Sequence, residues 1–263
     1  MYYNCTSPAI AHFYIRVHVA MTTISRIISS TISISSKFIA ICVEALFPLT
    51  KAERVLLRVE VENIWQLLPR APFSSIPESC ALFAYKDDLV SSLVWSLKYK
   101  KSKHAAMLGG ACLYKILMTY MLAGVSIVVV PMPVSKQRRR ERGFNQCELL
   151  LDEMEKLDSI RSGGSGRRLS TTRKLLVRSR HNTRQTLKDR RERLKSIEGI
   201  FSVNKVVAER LMVKLKKMGG LDGSNYLVIV IDDVVTTGST MREAVHALRT
   251  AGLTNTYGLA LAH

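Results

Sequence analysis

Two adjacent aspartates and a cluster of small hydroxylated residues lie close together in the segment "VIVIDDVVTTGSTMREA", residues 228–244. Hydroxyls and backbone N–H groups at the start of a helix favour a phosphate, because the helix dipole and the unpaired donors face the anion. Gly238 would let the backbone approach that phosphate closely. The residues expected to contact it are Thr236, Thr237, Gly238, Ser239 and Thr240.

The carboxylates of Asp232 and Asp233 would repel a phosphate, so they must face neutral donors or a cation. Sugar hydroxyls and Mg²⁺ meet both requirements. The segment therefore predicts a ribose 5-phosphate whose 2′ and 3′ hydroxyls lie against the two aspartates. In the alternative interpretation, the aspartates only cap the loop. The segment has neither the lysine of a nucleoside-triphosphate loop nor the glycine spacing of a dinucleotide-binding loop, which argues against both ligands.

The elements around this segment predict a strand, a loop and a helix. Residues 228–231 are short and β-branched, as in a strand buried on both faces of a parallel sheet, and the charged residues begin where that strand should end, in a loop. Thr240 and Glu243 have the spacing of a capping box. The helix that follows carries apolar residues at helical spacing, Met241, Ala244, Val245 and Leu248. Ligands of open α/β sheets bind at such a junction.

Strands alternate with helices along the rest of the chain. Short apolar runs predict strands near "CALF" (80–83), "VSIVVV" (125–130), "KLLV" (174–177), "GIFSV" (199–203) and "TYGLAL" (256–261), with amphipathic helices between several of them. The stretch "RSGGSGRRLSTTR" (161–173) is typical of a mobile loop. The pattern predicts an α/β fold with a mostly parallel sheet and helices on both faces.

The prolines of "PRAPFSSIPE" (69–78) mark a domain boundary, so we expect an N-terminal extension over 1–80, partly helical, and a main domain over 81–263. The first 43 residues have no acid and many Ser and Thr, which leaves open a targeting peptide, an amphipathic surface segment or a start at Met21. No run of 18 apolar residues predicts a membrane span there. The five scattered cysteines favour reduced thiols in the cytoplasm over a zinc site or a disulfide framework.

Basic residues are concentrated in one third of the chain. Residues 134–217 carry 24 Lys and Arg against 10 Asp and Glu, which gives +14 of the formal net charge of +18. A surface of this charge suits polyanions, either phosphorylated metabolites or nucleic acid, although a solvated basic face is the simpler interpretation.

The motif and two further blocks resemble known proteins. "VIVIDDVVTTGST" resembles the phosphoribosyl-pyrophosphate (PRPP) motif of type I phosphoribosyltransferases. "VVVPMPVSKQRRRERGFNQCELL" (128–150) is similar to the competence-associated, amidophosphoribosyltransferase-like ComF/GntX proteins, and "LVRSRHNTRQTLKDRRERLKSIEGIF" (176–201) agrees with them in part. In the third block, Asn182 stands where a threonine is usual and Ser196 where an asparagine is usual. "LVWSLKYKKSK" (93–103) resembles a further segment of that family.

The resemblance implies a type I phosphoribosyltransferase fold with a five-stranded sheet, and a Mg²⁺-dependent transfer of ribose 5-phosphate from PRPP to a nitrogen acceptor with release of pyrophosphate. It assigns Asp232 and Asp233 to the ribose, as the catalytic pair, with the metal held indirectly through ribose hydroxyls or water. It assigns the 5-phosphate to Thr236, Thr237, Gly238, Ser239 and Thr240, and the pyrophosphate to the turn at Pro131, Met132 and Pro133 and to Arg178 and Arg180. Many family members begin with a four-cysteine zinc ribbon, which this sequence is expected to lack.

A second class of function remains open. A non-catalytic competence protein would use the same fold to bind PRPP or single-stranded DNA during DNA uptake. We rank it lower because Phe144 is the only aromatic residue within 134–200, and base stacking needs aromatic side chains. The acceptor and the oligomeric state cannot be derived from the sequence, although a dimer is one expectation.

Overall fold

A five-stranded parallel sheet forms the centre of the protein, with strand order β1-β7-β6-β2-β3. The computed structural model describes residues 49–71, 78–162, 169–178, 199–217 and 225–263. Its strands are β1 (Ser79–Phe83), β2 (Ser126–Pro131), β3 (Leu169–Thr171), β4 (Leu176–Arg178), β5 (Phe201–Val203), β6 (Tyr226–Val234) and β7 (Thr256–Ala262). Its helices are α1 (Lys51–Leu56), α2 (Val61–Leu67), α3 (Asp88–Tyr99), α4 (Lys103–Leu122), α5 (Lys136–Arg142), α6 (Gln146–Arg161), α7 (Lys205–Lys217) and α8 (Ser239–Thr250).

The two faces of the sheet form two hydrophobic cores, as expected for strands buried on both sides. Ile229 and Ile231 of β6 pack with Ile127 and Val129 of β2 on the face covered by α3, α4 and α6. The alternate residues of the same strands face the other side, where α7 and α8 cover them. The predicted fold class, a parallel sheet with helices on both faces, is therefore confirmed. The helical spacing after the PRPP-like motif is confirmed too, since its four apolar residues, Met241, Ala244, Val245 and Leu248, are buried.

The central pair of strands lies at a change of direction in the chain. Strand β2 pairs with β6, and Pro131 is opposite Ile231 at the carboxyl end of that pair. After β2 the chain continues to β3 on one side, and after β6 it continues to β7 on the other side. The loops that leave β2 and β6 therefore diverge and open a crevice between them, which is where open α/β sheets bind ligands.

The segment predicted as a mobile loop contains an edge strand. Leu169, Ser170 and Thr171 form β3, which pairs with Ile127–Val129 of β2. Part of that segment, 163–168, lies outside the described residues. The predicted strands at 174–177 and 199–203 do not join the main sheet, because β4 and β5 pair with each other as an antiparallel ribbon. Arg178 ends β4 and therefore stands on this ribbon.

The compact unit that contains the sheet begins at Ala52 and ends at His263. It includes residues 52–71 of the predicted extension: Ile64 of α2 is buried in the core, and Trp65 packs edge-on against Phe83 of β1. The first 48 residues, on which the predictions about Met21 and a targeting peptide depend, lie outside the described residues.

Helix α4 is long and apolar enough to span a bilayer by length and composition alone. Ten of its residues, among them Leu108, Leu113 and Leu117, are buried within the protein. Its apolar character is therefore that of a core helix, which packs on the sheet and against α6.

Gly258 of β7 allows α8 to lie directly on the sheet. A Cβ at this position would lie 2.4 Å from Cγ and 2.5 Å from Sδ of Met241. We expect Gly258→Ala to lower the free energy of unfolding by about 1–3 kcal/mol, the usual range for overpacking a core. Urea unfolding measures it, with Val213→Ala on the exposed face of α7 as the control. Equal stability of Gly258→Ala and wild type would contradict this close packing.

Candidate functional site

The two aspartates lie within strand β6 and not in the loop that follows it. The strand continues to Val234, so the prediction of a loop position for Asp232 and Asp233 was wrong. Successive side chains of a strand point in opposite directions, and this gives the two carboxylates different surroundings. Asp233 is 3% exposed, whereas Asp232 is partly exposed to the crevice.

Asp233 has a partner for each carboxylate oxygen. The Nζ atom of Lys98, near the end of α3, lies 2.9 Å from Oδ2 of Asp233. The side-chain amide of Gln146, the first residue of α6, donates to Oδ1 at 3.4 Å. The ion pair offsets the cost of burying this carboxylate, which would be severe for an unpaired charge.

Asp232 is held by neutral donors. Its Oδ1 accepts a hydrogen bond from the backbone N–H of Asp233 at 2.9 Å and one from the thiol of Cys147 at 3.4 Å. Burial, followed by the charge of Asp233, raises the pKa of Asp232 well above its usual value. Burial, followed by the charges of Asp232 and Asp233, also raises the pKa of Cys147, so the thiol stays protonated and acts as the donor.

The hydroxyl-rich loop leads into helix α8 with its N-terminal donors uncapped. Gly238 is the N-cap residue, with φ 75° in the left-handed region that glycine adopts most readily, and no side chain caps the helix. The predicted capping box of Thr240 and Glu243 is wrong, because the helix begins at Ser239 and Glu243 accepts from the backbone N–H of Gly199 at 2.5 Å. The first turn of α8 therefore offers free N–H groups toward the crevice, as an anion requires.

The turn after β2 is fixed by Asn145, a residue of the 128–150 block that is similar to the ComF/GntX proteins. The Asn145 side chain donates to the carbonyl oxygen of Met132 at 3.0 Å, and its own oxygen accepts from the backbone N–H of Cys147 at 3.0 Å. One side chain thus caps α6 and holds the turn after β2. Gly143, with φ 77°, ends α5 and reverses the chain so that Asn145 reaches both places.

A pocket of about 280 Å³ lies in the crevice and brings most of the predicted site together. Its lining includes both aspartates and the whole hydroxyl-rich loop, together with Met132 and Pro133 of the turn and Arg178 of the ribbon. Pro131 lines the adjoining cleft instead. Arg180 lies outside the described residues. The aspartates and loop residues that line the pocket, all of them predicted from the sequence, are Asp232, Asp233, Thr236, Thr237, Gly238, Ser239 and Thr240.

The adjoining cleft is larger, at about 830 Å³, and is basic. It shares Pro133, Val134, Arg138 and Arg178 with the smaller pocket. Among its described residues, Arg139 pairs with Glu148, and Arg173 pairs with Asp152 and Glu155. Lys136, Arg138 and Lys174 line the same cleft without an acidic partner in the described part of the chain. These cations can meet an anion that extends beyond the smaller pocket.

The three side chains that contact the acidic pair, Lys98, Gln146 and Cys147, were not predicted from the sequence. Arg138, which lines the pocket, was not predicted either. Lys98 and Gln146 lie in segments that resemble the ComF/GntX proteins, but nothing in their spacing indicates contact with an acidic pair. Asp233 lies 135 positions after Lys98 and 87 after Gln146, so only the fold brings them together.

The donor set suits Mg²⁺ held through a ligand better than a metal held by the protein alone. Cys147, Asp232 and Asp233 place their ligand atoms within 4.8 Å of one another, but the thiol is protonated and Asp233 is engaged on both oxygens. Mg²⁺ commonly uses one or two carboxylates together with waters and substrate phosphates. Asp232, which is partly exposed to the pocket, would offer such a carboxylate once ionised, which the positive charge of the ion favours.

The raised pKa of Asp232 makes a test of the acidic pair possible. The usual pKa of an aspartate is about 4, so above that pH the unfolded chain is ionised at position 232. The folded protein resists this ionisation, because its Asp232 pKa is raised. The free energy of unfolding of wild type therefore falls as pH rises toward the folded-state pKa. Asp232→Asn has no such loss and can still accept both hydrogen bonds. We expect its melting temperature to exceed that of wild type, by about 2–4 °C per kcal/mol gained.

The advantage of Asp232→Asn should be larger at pH 8 than at pH 5, as measured by thermal unfolding. Asp152→Asn, an exposed acid on α6, is the control and should show no such trend. A variant less stable than wild type at pH 8 would contradict the raised pKa.

Comparison with known proteins finds a partial match to a competence protein. No protein-family model matches the chain. The chain is 34% identical over 125 residues to the Competence protein ComFC of Bacillus subtilis (strain 168), a match that covers 48% of this chain and 39% of that protein. The chain thus spans about two fifths of the length of this curated relative. The similarity supports a relationship to the ComF proteins.

Proposed function

We propose that the protein binds PRPP and transfers its ribose 5-phosphate to a nitrogen acceptor, with release of pyrophosphate. The observation that carries the proposal is the 280 Å³ pocket, which combines three different kinds of group at one crevice of a parallel sheet. These are a carboxylate pair, an uncapped helix N-terminus and a backbone turn flanked by arginines.

Each part of the pocket suits one part of PRPP. The free N–H groups of α8 and the hydroxyls of Thr236–Thr240 favour the 5-phosphate. Asp232 and Asp233 accept hydrogen bonds from the ribose hydroxyls. The turn at Pro131–Pro133, with Arg138 and Arg178, lies where the pyrophosphate would extend into the larger cleft.

The chain's residues would act mainly by positioning and electrostatics. Displacement of pyrophosphate at C1 of the ribose leaves positive character on the ring, which the neighbouring carboxylates stabilise. The cations of the cleft stabilise the charge that develops on the leaving pyrophosphate. Bound Mg²⁺ would supply further charge neutralisation on the pyrophosphate oxygens.

PRPP should raise the melting temperature of the protein only when Mg²⁺ is present, because the ion would neutralise part of the pyrophosphate charge beside the acidic pair. At a PRPP concentration of 100 times Kd, the free energy of unfolding should rise by about 2.7 kcal/mol. Thermal unfolding with PRPP, with Mg²⁺ and with both measures the effect. Equal stabilisation by PRPP with and without Mg²⁺ would contradict the need for the ion.

The acidic pair gives the matched test of the same proposal. Asp232→Asn and Asp233→Asn should both weaken PRPP binding while the protein remains folded, and Asp88→Asn, at an exposed acid in the first turn of α3, should bind as wild type does. Calorimetric titration measures the affinities. If either site variant binds PRPP as tightly as wild type, the assignment of that aspartate to the ribose is wrong. Pyrophosphate release with a panel of bases and amines then tests transfer.

A second candidate function, binding of single-stranded DNA as a competence protein, is favoured by the basic cleft and by the name of the relative from Bacillus subtilis. Against it, no aromatic side chain is among the described residues that line the cleft, so stacking of bases has no platform there. We therefore place PRPP binding first.

The two candidates differ in what PRPP does to bound DNA. If the basic residues serve nucleic acid, affinity should fall with salt at a slope of about −0.7 per neutralised phosphate, and PRPP should compete poorly. If they mainly serve pyrophosphate, PRPP with Mg²⁺ should displace the DNA, which is our expectation. Filter binding at two salt concentrations distinguishes them. DNA retained at saturating PRPP would place the competence-type function first.

A further inference from the structure

Lys98 lies far from the acidic pair in the sequence but contacts it in the folded protein. Helix α3 packs on the sheet through Val90, Leu93, Val94 and Leu97, all of them buried. The next residue, Lys98, leaves that buried face and extends to the carboxyl end of β6. Its side chain is 21% exposed and lines the 280 Å³ pocket, while its Nζ atom lies 2.9 Å from Oδ2 of Asp233.

The acidic pair needs a fixed positive charge. Two neighbouring carboxylates at the base of one pocket repel each other, and a ligand with several phosphates adds further negative charge. The other donors to the pair, Cys147, Gln146 and a backbone N–H, are neutral. Arg138 and Arg178 also line the pocket, but in the described part of the chain Lys98 is the cation within ion-pair distance of either aspartate.

The two aspartates differ in how many of their carboxylate oxygens the protein contacts. Both oxygens of Asp233 are engaged by the protein, one by Lys98 and one by Gln146. Asp232 uses Oδ1 for its internal bonds, and among the described residues no donor is bonded to its Oδ2. Asp233 is therefore held in one orientation, and Asp232 is the less constrained of the two aspartates that line the pocket.

We propose that Lys98 is a positioning residue of the ribose site, which fixes the Asp233 carboxylate and supplies the counter-charge that lets the acidic pair accept a phosphorylated sugar. The inference rests on the proposed PRPP binding. It adds a residue from the N-terminal half of the domain to a site otherwise built from the turn after β2, the ribbon and the β6–α8 segment.

The chain offers a closely matched control. Lys100 follows Lys98 by two positions, and its Nζ atom lies 2.6 Å from Oε1 of Glu53, so it also forms an ion pair with a largely buried acid. Lys100 is not among the described residues that line the 280 Å³ pocket. Loss of either lysine removes one ion pair, but only loss of Lys98 should affect the ligand.

The experiment measures the PRPP affinity of the full chain with Mg²⁺ by calorimetric titration, for wild type and the variants Lys98→Gln, Lys98→Arg, Lys100→Gln, Asp233→Asn and Lys98→Gln/Asp233→Asn. Lys98→Gln should weaken binding about ten-fold or more, because the buried Asp233 carboxylate loses its counter-charge. Lys98→Arg should recover most of the affinity, since it keeps a cation in reach. Lys100→Gln should bind as wild type does.

The double variant tests whether Lys98 acts through Asp233. If it does, Lys98→Gln should cause little further loss in the Asp233→Asn background. The melting temperature should fall more in Lys98→Gln than in the double variant, because only the single variant leaves a buried carboxylate without its cation. If Lys98→Gln gives no soluble protein, the comparison of Lys98→Arg with the double variant replaces it. Lys98→Arg should then bind PRPP at least about ten-fold more tightly than the double variant does.

The outcomes separate the two proposals. Wild-type protein that does not bind PRPP overturns the proposed function. If wild-type protein binds PRPP and Lys98→Gln binds it with unchanged affinity, only the role of Lys98 is overturned. The same holds if Lys98→Arg binds PRPP no more tightly than the double variant. Equal losses from Lys98→Gln with and without the Asp233→Asn change would mean that Lys98 acts on the ligand directly, which also overturns positioning through Asp233.

Discussion

The parallel pairing of β2 with β6 determines where every part of the site lies. Their register sets Pro131 opposite Ile231, so the turn after β2 and the carboxylates at the end of β6 emerge at one level of the sheet. The chain then diverges to β3 and to β7, which keeps the space above this pair open. Both strands are buried on both faces, and this fixes their register, since a slip of one residue would exchange the two hydrophobic cores. The site thus depends on the same packing that makes the fold.

Placing the acids inside the strand has an energetic consequence. A loop would have left both carboxylates in water at little cost, whereas a strand position directs Asp233 inward and brings it beside Asp232. The structure compensates with one ion pair, three neutral donors and a carboxyl group whose pKa is raised. Cys147 contributes because it is protonated, so a thiol that resembles a metal ligand by position serves as a hydrogen-bond donor. These compensations come from α3 and α6, which therefore belong to the site as much as the motif does.

Local patterns predicted the elements that are short in sequence and strongly apolar. The run at residues 228–231 and the helical spacing from Met241 to Leu248 indicated their structures because burial alone determines them. Strand β3 was missed because Leu169–Thr171 is three residues long and takes its extended form from pairing with β2. The ribbon of β4 and β5 has the composition of sheet strands, and only the pairing of the two strands with each other shows that it is separate from the main sheet. Glu243 was expected to cap its own helix, but the N–H of Gly199, 44 positions earlier, is the group it contacts. Contacts of this range leave no periodic pattern in the sequence.

The uncapped start of α8 shows why such a site differs from the rest of the fold. A side-chain cap would stabilise a helix by about 0.5–2 kcal/mol, and four hydroxyl-bearing residues adjoin Gly238 that could supply one. Instead, Thr237 and Ser239 bond to each other at 2.8 Å and Gly238 takes the N-cap position. The helix therefore gives up a local interaction and keeps its N–H groups available to the pocket. The same holds for Asp232, because its raised pKa means that ionising it near neutral pH costs the folded protein stability. Both features are unfavourable for folding and would favour a ligand that brings an anion and hydroxyl donors together, as the proposed ribose phosphate does.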